Sequence, residues 1–436
     1  MNQRRRLLIL LWTFLAFGGG AVSAHVGHAT TKAASPYSPL SQLAEVLVLV
    51  ENKYVDPVKR QQLLRGAIKG MVSELDPHSS YLTPEEFRAF NEDTQGTFGG
   101  IGVEVDFKHD YVVVITPLEG TPAARAGIKA GDKIIGVDGK ALRGLSIDKI
   151  VRLMRGPART TVKVSIRREG TPDTIHLDIV REHIRVRSVE GKRLVDNIAY
   201  LRIKQFQQGT HDELLDVLGS LRNDSAKPLR GVVLDMRGNP GGLVDEAQAV
   251  ADEFLSEGGI YSTRHRGKID EDVRAHRGGA LSALPIVTLV NEYSASAAEL
   301  VAGALQDNDR SLIIGARTFG KGSVQTIYTL NGDSGLRLTT MRYYTPRGHA
   351  IQARGIYPDI AIRYTEDSAP AAVSEGKLEG HLPAERGPPG PKPTRVVAGG
   401  ARPKYTPLSK VPSDPRQSTD VALGEAFREA LKRARP

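Results

Sequence analysis

The sequence predicts an α/β protein, and three successive patterns along the chain support this prediction. Apolar residues recur at helical spacing over residues 38–96, and short strands separated by glycine turns follow over 97–182. Strands then alternate with helices over 183–365, which indicates an α/β core whose functional residues gather where strands end. A chain of 436 residues is long enough for two or three such domains.

The first residues have the pattern of a targeting segment. Arg4, Arg5 and Arg6 precede a short apolar run, and the small residues that end at Ala24 suit a cleavage site. We therefore assign residues 1–24 to a signal peptide and expect a periplasmic protein. The alternative is an uncleaved segment that associates with the membrane, although three glycines interrupt the apolar run.

Composition argues against several classes of function. The chain has no cysteine, which excludes disulfides, a thiol nucleophile and a zinc–thiolate site. The formal charge is +9, but the basic residues are scattered and form no stripe of the kind that binds nucleic acid. The spacing of histidine and glutamate suits no metal. We expect no metal, no other cofactor and no nucleic-acid partner.

The region after residue 365 differs from the rest of the chain. Residues 366–417 hold 10 of the 25 prolines and almost no apolar periodicity, so their composition predicts a disordered, flexible tail. Within residues 418–436, an amphipathic pattern predicts a short terminal helix.

Two serines in the stretch NEYSASAAE raise the question of catalysis. Ser296 begins a predicted helix and forms a capping-box pattern with Glu299, which is a purely structural interpretation. The start of a helix is also where free amides favour an oxyanion. No histidine lies between His276 and His349, so the proton acceptor would have to be a lysine whose surroundings keep it neutral.

Lys321 is the candidate for that lysine, because it lies in the uncharged segment TFGKGSVQT between two apolar strands. Residues 315–321 also match most of the phosphate-loop pattern of nucleotide-binding proteins. However, Gly322 occupies the Ser/Thr position that would bind magnesium, and the following VQTIYTL has the pattern of a strand instead of a helix. A nucleotide enzyme is therefore a disfavoured alternative.

The loop GNPGG follows the predicted strand GVVLDM. Its glycines suit positive φ, and their bare amides can approach a substrate carbonyl. Together with this loop, the serine and lysine segments resemble three motifs of the carboxyl-terminal processing (tail-specific) serine peptidases, which carry an inserted PDZ domain. The motifs occupy residues 235–242, 291–299 and 315–325 in the family's order, with Met236 where leucine is common. The resemblance covers residues 40 to about 365.

The resemblance implies a crotonase/Clp-protease-like serine protease core over 183–365, which hydrolyses peptide bonds as an exported endopeptidase. Ser296 would be the nucleophile, Lys321 its general base and Gln325 the group that orients the lysine. The amides of Gly241 and Ala297 would stabilise the oxyanion. Ser294 would then be a turn or cap residue. A peptide-binding scaffold with an inactive core is a further alternative, which the presence of both the serine and the lysine disfavours.

The resemblance also implies a PDZ half-barrel over 97–182, with an N-terminal helical region over 38–96 before it. The turn LDPHSSYL also fits the family, and His78 within it is expected to cap or pack. PDZ domains bind peptide ends by strand addition. The residues expected to hold a substrate's terminal carboxylate are Gly99, Gly100, Ile101, Gly102 and Val103, and Arg155 is either a further contact or a solvated residue.

The expected partners follow from that assignment. They are protein or peptide substrates with apolar free C-termini. The resemblance implies homodimers through the N-terminal helices, and the apolar face over residues 40–50 is compatible with that. The sequence leaves open whether an adaptor or regulator takes part.

Overall fold

The structure is a computed structural model, and it describes residues 38–108, 111–365, 374–385, 391–401 and 408–434. The signal segment predicted over 1–24 lies outside the described residues. The chain divides into two compact units, residues 1–71 and 72–436.

The described part of the first unit is helical, as its apolar periodicity predicts. It contains α1 (Ser38–Lys53) and all but the last two residues of α2 (Arg60–Ser73). Many large apolar side chains of these helices are exposed: Leu40, Leu43, Val46, Val48, Leu49, Leu64, Ile68 and Met71. Within the described ranges, no helix is both long enough and apolar enough to cross a membrane.

The second unit begins with a short link to a small β domain. The link consists of β1 (Ser80–Leu82), α3 (Pro84–Gln95) and β2 (Thr97–Gly100). The elements of the β domain are β3 (Val103–Lys108), β4 (Tyr111–Pro117), α4 (Pro122–Arg125), β5 (Lys133–Val137), β6 (Lys140–Ala141), α5 (Ile147–Met154), β7 (Thr161–Arg167) and β8 (Ile175–Val180). The sheet order is β3-β4-β5-β7-β8, with β6 paired to β5, and β3 lies at its edge.

Side-chain alternation explains how this small domain folds. In β7, the apolar residues Val162, Val164 and Ile166 are buried while the residues between them face outward. They join a core that includes Ile101 from the segment before β3 and Ile150 from α5. Strand β9 (Glu182–Arg185) pairs with β2 and closes the domain at the point where the chain leaves it.

The rest of the unit is the α/β core. Its elements are β10 (Val189–Arg193), β11 (Ile198–Ile203), α6 (Thr210–Asn223), β12 (Gly231–Asp235), α7 (Val244–Phe254), β13 (Gly259–His265), β14 (Lys268–Arg274), β15 (Ile286–Val290), α8 (Ala297–Asp307), β16 (Ser311–Gly315), β17 (Ser323–Leu330), β18 (Ser334–Tyr344), β19 (Ile360–Tyr364), β20 (Arg395–Gly400) and α9 (Val421–Arg433). One sheet has the order β10-β11-β12-β15-β16-β19-β20.

This sheet is parallel except for β10, and its central strands are buried along their whole length. Helices α6, α7 and α8 contribute to the core on one face, and α9 contributes to the core on the other. Strands that are covered on both faces have continuous apolar sequences, as β15 (IVTLV) does. The second sheet of the core contains β1, β18, β13 and β14, with β17 paired to β18.

The prediction of a disordered tail over 366–417 is wrong for the described part of that segment. Strand β20 pairs in parallel with β19 and extends the main sheet. After it, α9 buries apolar residues that include Phe427. The average composition of the proline-rich segment concealed the short apolar sequence RVVAGG, which gains backbone partners only because the edge of the sheet is already present.

Candidate active site

Three loops meet at the carboxyl ends of the neighbouring parallel strands β12, β15 and β16. The GNPGG loop joins the serine loop where Ala295 N donates to Asn239 O at 2.9 Å. The lysine loop joins the serine loop where Phe319 N donates to Ser294 O at 3.0 Å. Because the carboxyl ends of parallel strands lie at the same edge of a sheet, motifs that are far apart in sequence form one site.

Ser296 has a strained backbone at the start of α8. Its φ of 54° and ψ of −117° lie in a region that residues with a Cβ rarely adopt. Its amide donates to Glu299 Oε2 at 2.8 Å. Within the described residues, the next amide, that of Ala297, donates to no acceptor. Backbone strain of this kind is typical of functional positions, and a free amide at a helix start suits a negative charge.

Ser294 has a different environment, although it is only two residues away. It is fully buried, its hydroxyl donates to Met236 O at 2.8 Å, and it accepts a hydrogen bond from Asn291 N at 3.0 Å. These bonds connect the loop after β15 to the end of β12. Ser294 is therefore placed as a turn residue.

An open cleft of about 380 Å³ contains the predicted catalytic side chains. Ser296, Lys321 and Gln325 line it together with Gly241 and Arg337. Its apolar lining includes Phe90, Phe206, Leu243, Val244, Ile327 and Tyr343. Within the described ranges, no three histidine, aspartate or glutamate side chains gather as a metal site requires.

The Lys321 amine donates a hydrogen bond to Gln325 Oε1. A fully extended strand would separate these residues, but β17 begins only at Ser323, and its register shifts between Val324 and Gln325. Burial, together with the guanidinium of Arg337, lowers the pKa of Lys321 to about 8. No hydrogen bond in the described part of the chain joins Lys321 Nζ to the hydroxyl of Ser296. The element that follows Lys321 is the strand β17. A phosphate loop is followed by a helix, so the structure also disfavours the nucleotide-enzyme alternative.

Glu299 joins the serine loop to the lysine loop. Its Oε1 accepts hydrogen bonds from Thr318 Oγ1 at 2.5 Å and Gly320 N at 2.7 Å. Its Oε2 accepts from Lys321 N at 2.9 Å and from Ser296 N. Burial raises the pKa of Glu299 to about 7, and these hydrogen bonds oppose the rise because they favour the ionised form. One carboxylate therefore holds the backbones of both candidate catalytic residues.

The predicted oxyanion donor Gly241 is in place, but its amide is occupied. A Cβ on Gly241 would lie 2.9 Å from the Cβ of Ser296, and its φ is +101°, so only glycine fits here without strain. Its amide donates to Asn239 Oδ1 at 2.8 Å. Ala297 therefore offers the free amide in this conformation, and Gly241 offers one only after its bond to Asn239 is broken.

The LDPHSSYL turn supports the lysine segment, a role that sequence reasoning missed. Gln325 Nε2 donates to Thr339 Oγ1 at 3.2 Å, and Thr339 Oγ1 donates to Asp76 Oδ1 at 3.1 Å. His78 Nε2 lies 2.7 Å from Oε2 of the buried Glu375. In the sequence, only the density of polar residues in this turn indicated such a role, because the residues that it binds, Thr339 and Glu375, lie far along the chain.

Some of the residues that were predicted to bind a substrate carboxylate already form contacts within the small domain. Gly99 and Gly100 belong to β2 and pair with β9, and Gly99 O accepts a hydrogen bond from Gly156 N at 3.0 Å. Ile101 is buried in the domain core. The segment then passes through Gly102, whose φ is +78°, to Val103 at the start of the edge strand β3.

Arg155 is engaged elsewhere. Its Nη1 lies 3.2 Å from Asp93 Oδ1, and its guanidinium stacks on the Phe98 ring at 4.2 Å from the ring centroid. Arg155 is thus a partly exposed residue, which agrees with the solvated alternative, and its side chain connects α3 to the end of α5.

Comparison with known proteins agrees with this architecture. The model of peptidase family S41 matches residues 197–362, a PDZ domain model matches 113–168, and the N-terminal domain model of the activating protease CtpB matches 20–86. The fold and the site thus define a serine peptidase that carries a PDZ domain.

Two relatives and one solved structure are similar over much of the chain. The carboxy-terminal-processing protease of Bartonella bacilliformis is 39% identical over 410 residues, which are 92% of this chain and 90% of that protein. A probable CtpA-like serine protease of Staphylococcus aureus is 38% identical over 74% of this chain and 65% of its own length. The photosystem II D1 C-terminal processing protease aligns with a TM-score of 0.45 and 32% identity over 73% of this chain and 86% of that one. The similarity to the Bartonella protein, which extends over most of both chains, shows that the chain belongs to the carboxy-terminal-processing protease family.

The bridging role of Glu299 is tested by Glu299→Gln. An amide supplies only one acceptor oxygen, so two of the four donors would face an NH₂ group and lose their partners. We expect kcat/KM for peptide cleavage to fall roughly 100-fold, because a small displacement of catalytic groups has an effect of this size. Glu257→Gln, at an exposed position, is the matched control and should keep full activity. Equal activity of the two variants would show that the carboxylate does not position the site.

Proposed function

We propose that the protein is an exported serine endopeptidase that recognises the C-termini of its substrates through the PDZ domain and cleaves peptide bonds with a Ser296–Lys321 dyad. The observation that carries this proposal is the placement of both side chains in one cleft, with their backbones bound to the same carboxylate. Membership of the peptidase family supports the reaction class.

The proposed reaction begins with neutral Lys321. Its amine takes the proton of the Ser296 hydroxyl as Oγ attacks the substrate carbonyl carbon, and the carbonyl oxygen becomes an oxyanion. The free amide of Ala297 stabilises that oxyanion, and Gly241 adds a second donor when its amide turns away from Asn239. Collapse of the intermediate breaks the C–N bond, and Lys321 returns the proton to the leaving amine. Water, activated by the same lysine, then hydrolyses the ester on Ser296.

Gln325 is proposed to orient the lysine throughout this cycle. Its Oε1 accepts a hydrogen bond from the Lys321 amine, while its Nε2 is anchored by Ser323 Oγ at 2.9 Å and by Thr339. A side-chain amide held at both ends cannot rotate freely, so the amine keeps one direction in the cleft.

Substrate recognition is proposed to occur at the edge of the PDZ sheet. Strand β3 has a sheet neighbour on one side only, β4, within the described residues. An extended C-terminus can therefore add as a further strand, with its carboxylate at the segment from Gly99 to Val103 and an apolar last side chain against α5. Protein substrates with apolar free C-termini fit this site.

Location and assembly are also part of the proposal. The basic residues, the apolar run and the small residues of 1–24 support export to the periplasm. The exposed apolar side chains of α1 and α2 support a homodimer formed through these helices. We propose that the reaction requires no metal or other cofactor.

The two serines provide a matched pair for testing the nucleophile. Ser296→Ala should abolish peptide cleavage and leave the circular dichroism spectrum unchanged, because alanine at a helix start costs only about 1 kcal/mol. Ser294→Ala should keep most of the activity and should lower the free energy of unfolding by about 1–2 kcal/mol, because it loses buried hydrogen bonds. An inactive Ser294 variant beside an active Ser296 variant would reverse the assignment.

Activity should depend on the protonation of Lys321. With its pKa lowered to about 8, only about a tenth of the lysine is neutral at pH 7. We therefore expect kcat/KM to rise with pH and to level off above about pH 9. Lys321→Arg should be inactive over this whole range, because a guanidinium stays protonated. Substantial cleavage by that variant would indicate a different base.

The PDZ assignment is tested with one long substrate that carries either a free or an amidated C-terminus. Charge-assisted hydrogen bonds to a carboxylate contribute roughly 1.5–3 kcal/mol, so amidation should lower kcat/KM at least about tenfold. Short peptides that reach only Ser296 should respond much less. Equal kcat/KM for the two long substrates would mean that the domain does not recognise the terminal carboxylate.

A further inference from the structure

Arg337 lies in the wall of the cleft, close to the proposed dyad. In the register of β17 and β18, it stands opposite Ile327, and Thr339 stands opposite Gln325. Because side chains two residues apart point to the same face of a strand, Arg337 faces the same side as Gln325. Arg337 and Lys321 both line the cleft.

The Asp76–Ser79 turn fixes the position of the Arg337 guanidinium. Arg337 Nε donates to His78 O at 2.9 Å. Asp76 stabilises that turn by accepting hydrogen bonds from His78 N at 2.8 Å, from Ser79 N at 3.0 Å and from Ser79 Oγ at 2.7 Å. The carbonyl that holds the arginine is therefore itself held in place.

The charge of Arg337 is not neutralised by an ion pair with any carboxylate in the described ranges. Three acidic groups also act on Lys321: Glu375 behind the lysine loop, Glu299 at the start of α8, and Asp76. All three raise the pKa of the lysine, while burial and the positive charge of Arg337 lower it. The positive charge of Arg337 thus opposes the effect of these carboxylates on the proposed base.

We propose that Arg337 is a positioning residue for the reaction: its guanidinium, anchored to the carbonyl of His78 in the wall of the cleft, favours the neutral form of the Lys321 amine that the reaction requires. The inference rests on the proposed function, in which Lys321 is the general base. It gives the LDPHSSYL turn a role in the reaction, because the carbonyl of His78 holds the guanidinium of Arg337 at a fixed point in the cleft.

The test is the pH profile of kcat/KM for a short peptide in the full-length enzyme. Arg337→Met keeps much of the side-chain volume and removes the charge, so the midpoint of the acid limb should move up by about one pH unit. Activity at pH 7 should then fall roughly tenfold, while activity at the alkaline plateau should stay within about twofold of the parent. Arg337→Gln is a second neutral variant, for use if the methionine variant does not fold.

Two further variants test whether the midpoint of the acid limb moves in the direction that the removed charge requires. Glu375→Gln removes a negative charge and can still bond His78 and Gln352, so it should move the midpoint down. Arg342→Met is the matched control, because Arg342 lies on the same strand and is paired with Glu385 at 2.6 Å. Its midpoint should not move.

Other outcomes separate the possible failures. An Arg337→Met enzyme with an unchanged midpoint and a lower plateau would make Arg337 a structural residue only. A raised KM with an unchanged midpoint would make it a substrate contact. Either result overturns this inference while the dyad stands, provided that Lys321→Arg is inactive. An active Lys321→Arg enzyme would instead overturn the dyad itself.

Discussion

The buried carboxylate of Glu299 holds the candidate site together. The serine and lysine segments follow different strands, and no hydrogen bond within the described residues joins their reactive atoms directly. Glu299 accepts hydrogen bonds from the amides of Ser296, Lys321 and Gly320. It also accepts one from the hydroxyl of Thr318. Burying a carboxylate is costly unless hydrogen bonds compensate for the lost water, and four donors do so here. The capping-box pattern in the sequence is thus one part of a larger bridge.

This bridge has an electrostatic consequence for the reaction. A carboxylate near Lys321 favours the protonated amine, which is the wrong state for a base. Burial and Arg337 oppose that effect, and the pKa values of Glu299 and Lys321 are about 7 and about 8. Above pH 8, therefore, the carboxylate is ionised and the amine is mostly neutral. The pH range in which the bridge is strongest is also the range in which the base is available.

Local patterns predicted much of the fold and of the site. Continuous apolar runs such as that of β15 identified the buried strands, and the three motifs placed Ser296, Lys321 and Gln325 in one cleft. Interactions between distant residues could not be predicted. The bond between His78 and Glu375 joins residues 297 positions apart, and no spacing rule connects them.

The same limit explains where the structure differs from what the sequence patterns predict. Strand β20 was assigned to a disordered tail because the segment 366–417 is rich in proline and has almost no apolar periodicity, and no local pattern shows that it pairs with β19. The amide of Gly241, which is predicted to stabilise the oxyanion, donates to Asn239 in this structure, and that contact depends on the detailed conformation of the loop. Sequence identifies which residues can react, whereas contacts between segments decide whether each one is ready to do so.

The most direct measurement is to locate the acyl group on the enzyme during turnover. An activated peptide ester is mixed with the enzyme at pH 9, the reaction is quenched in acid within the first turnovers, and the modified peptide is identified by mass spectrometry. The Ser296–Lys321 dyad predicts a single acyl group on Ser296 and much slower acylation in Lys321→Arg. An acyl group on Ser294 or another residue, or equally fast acylation without Lys321, would contradict it.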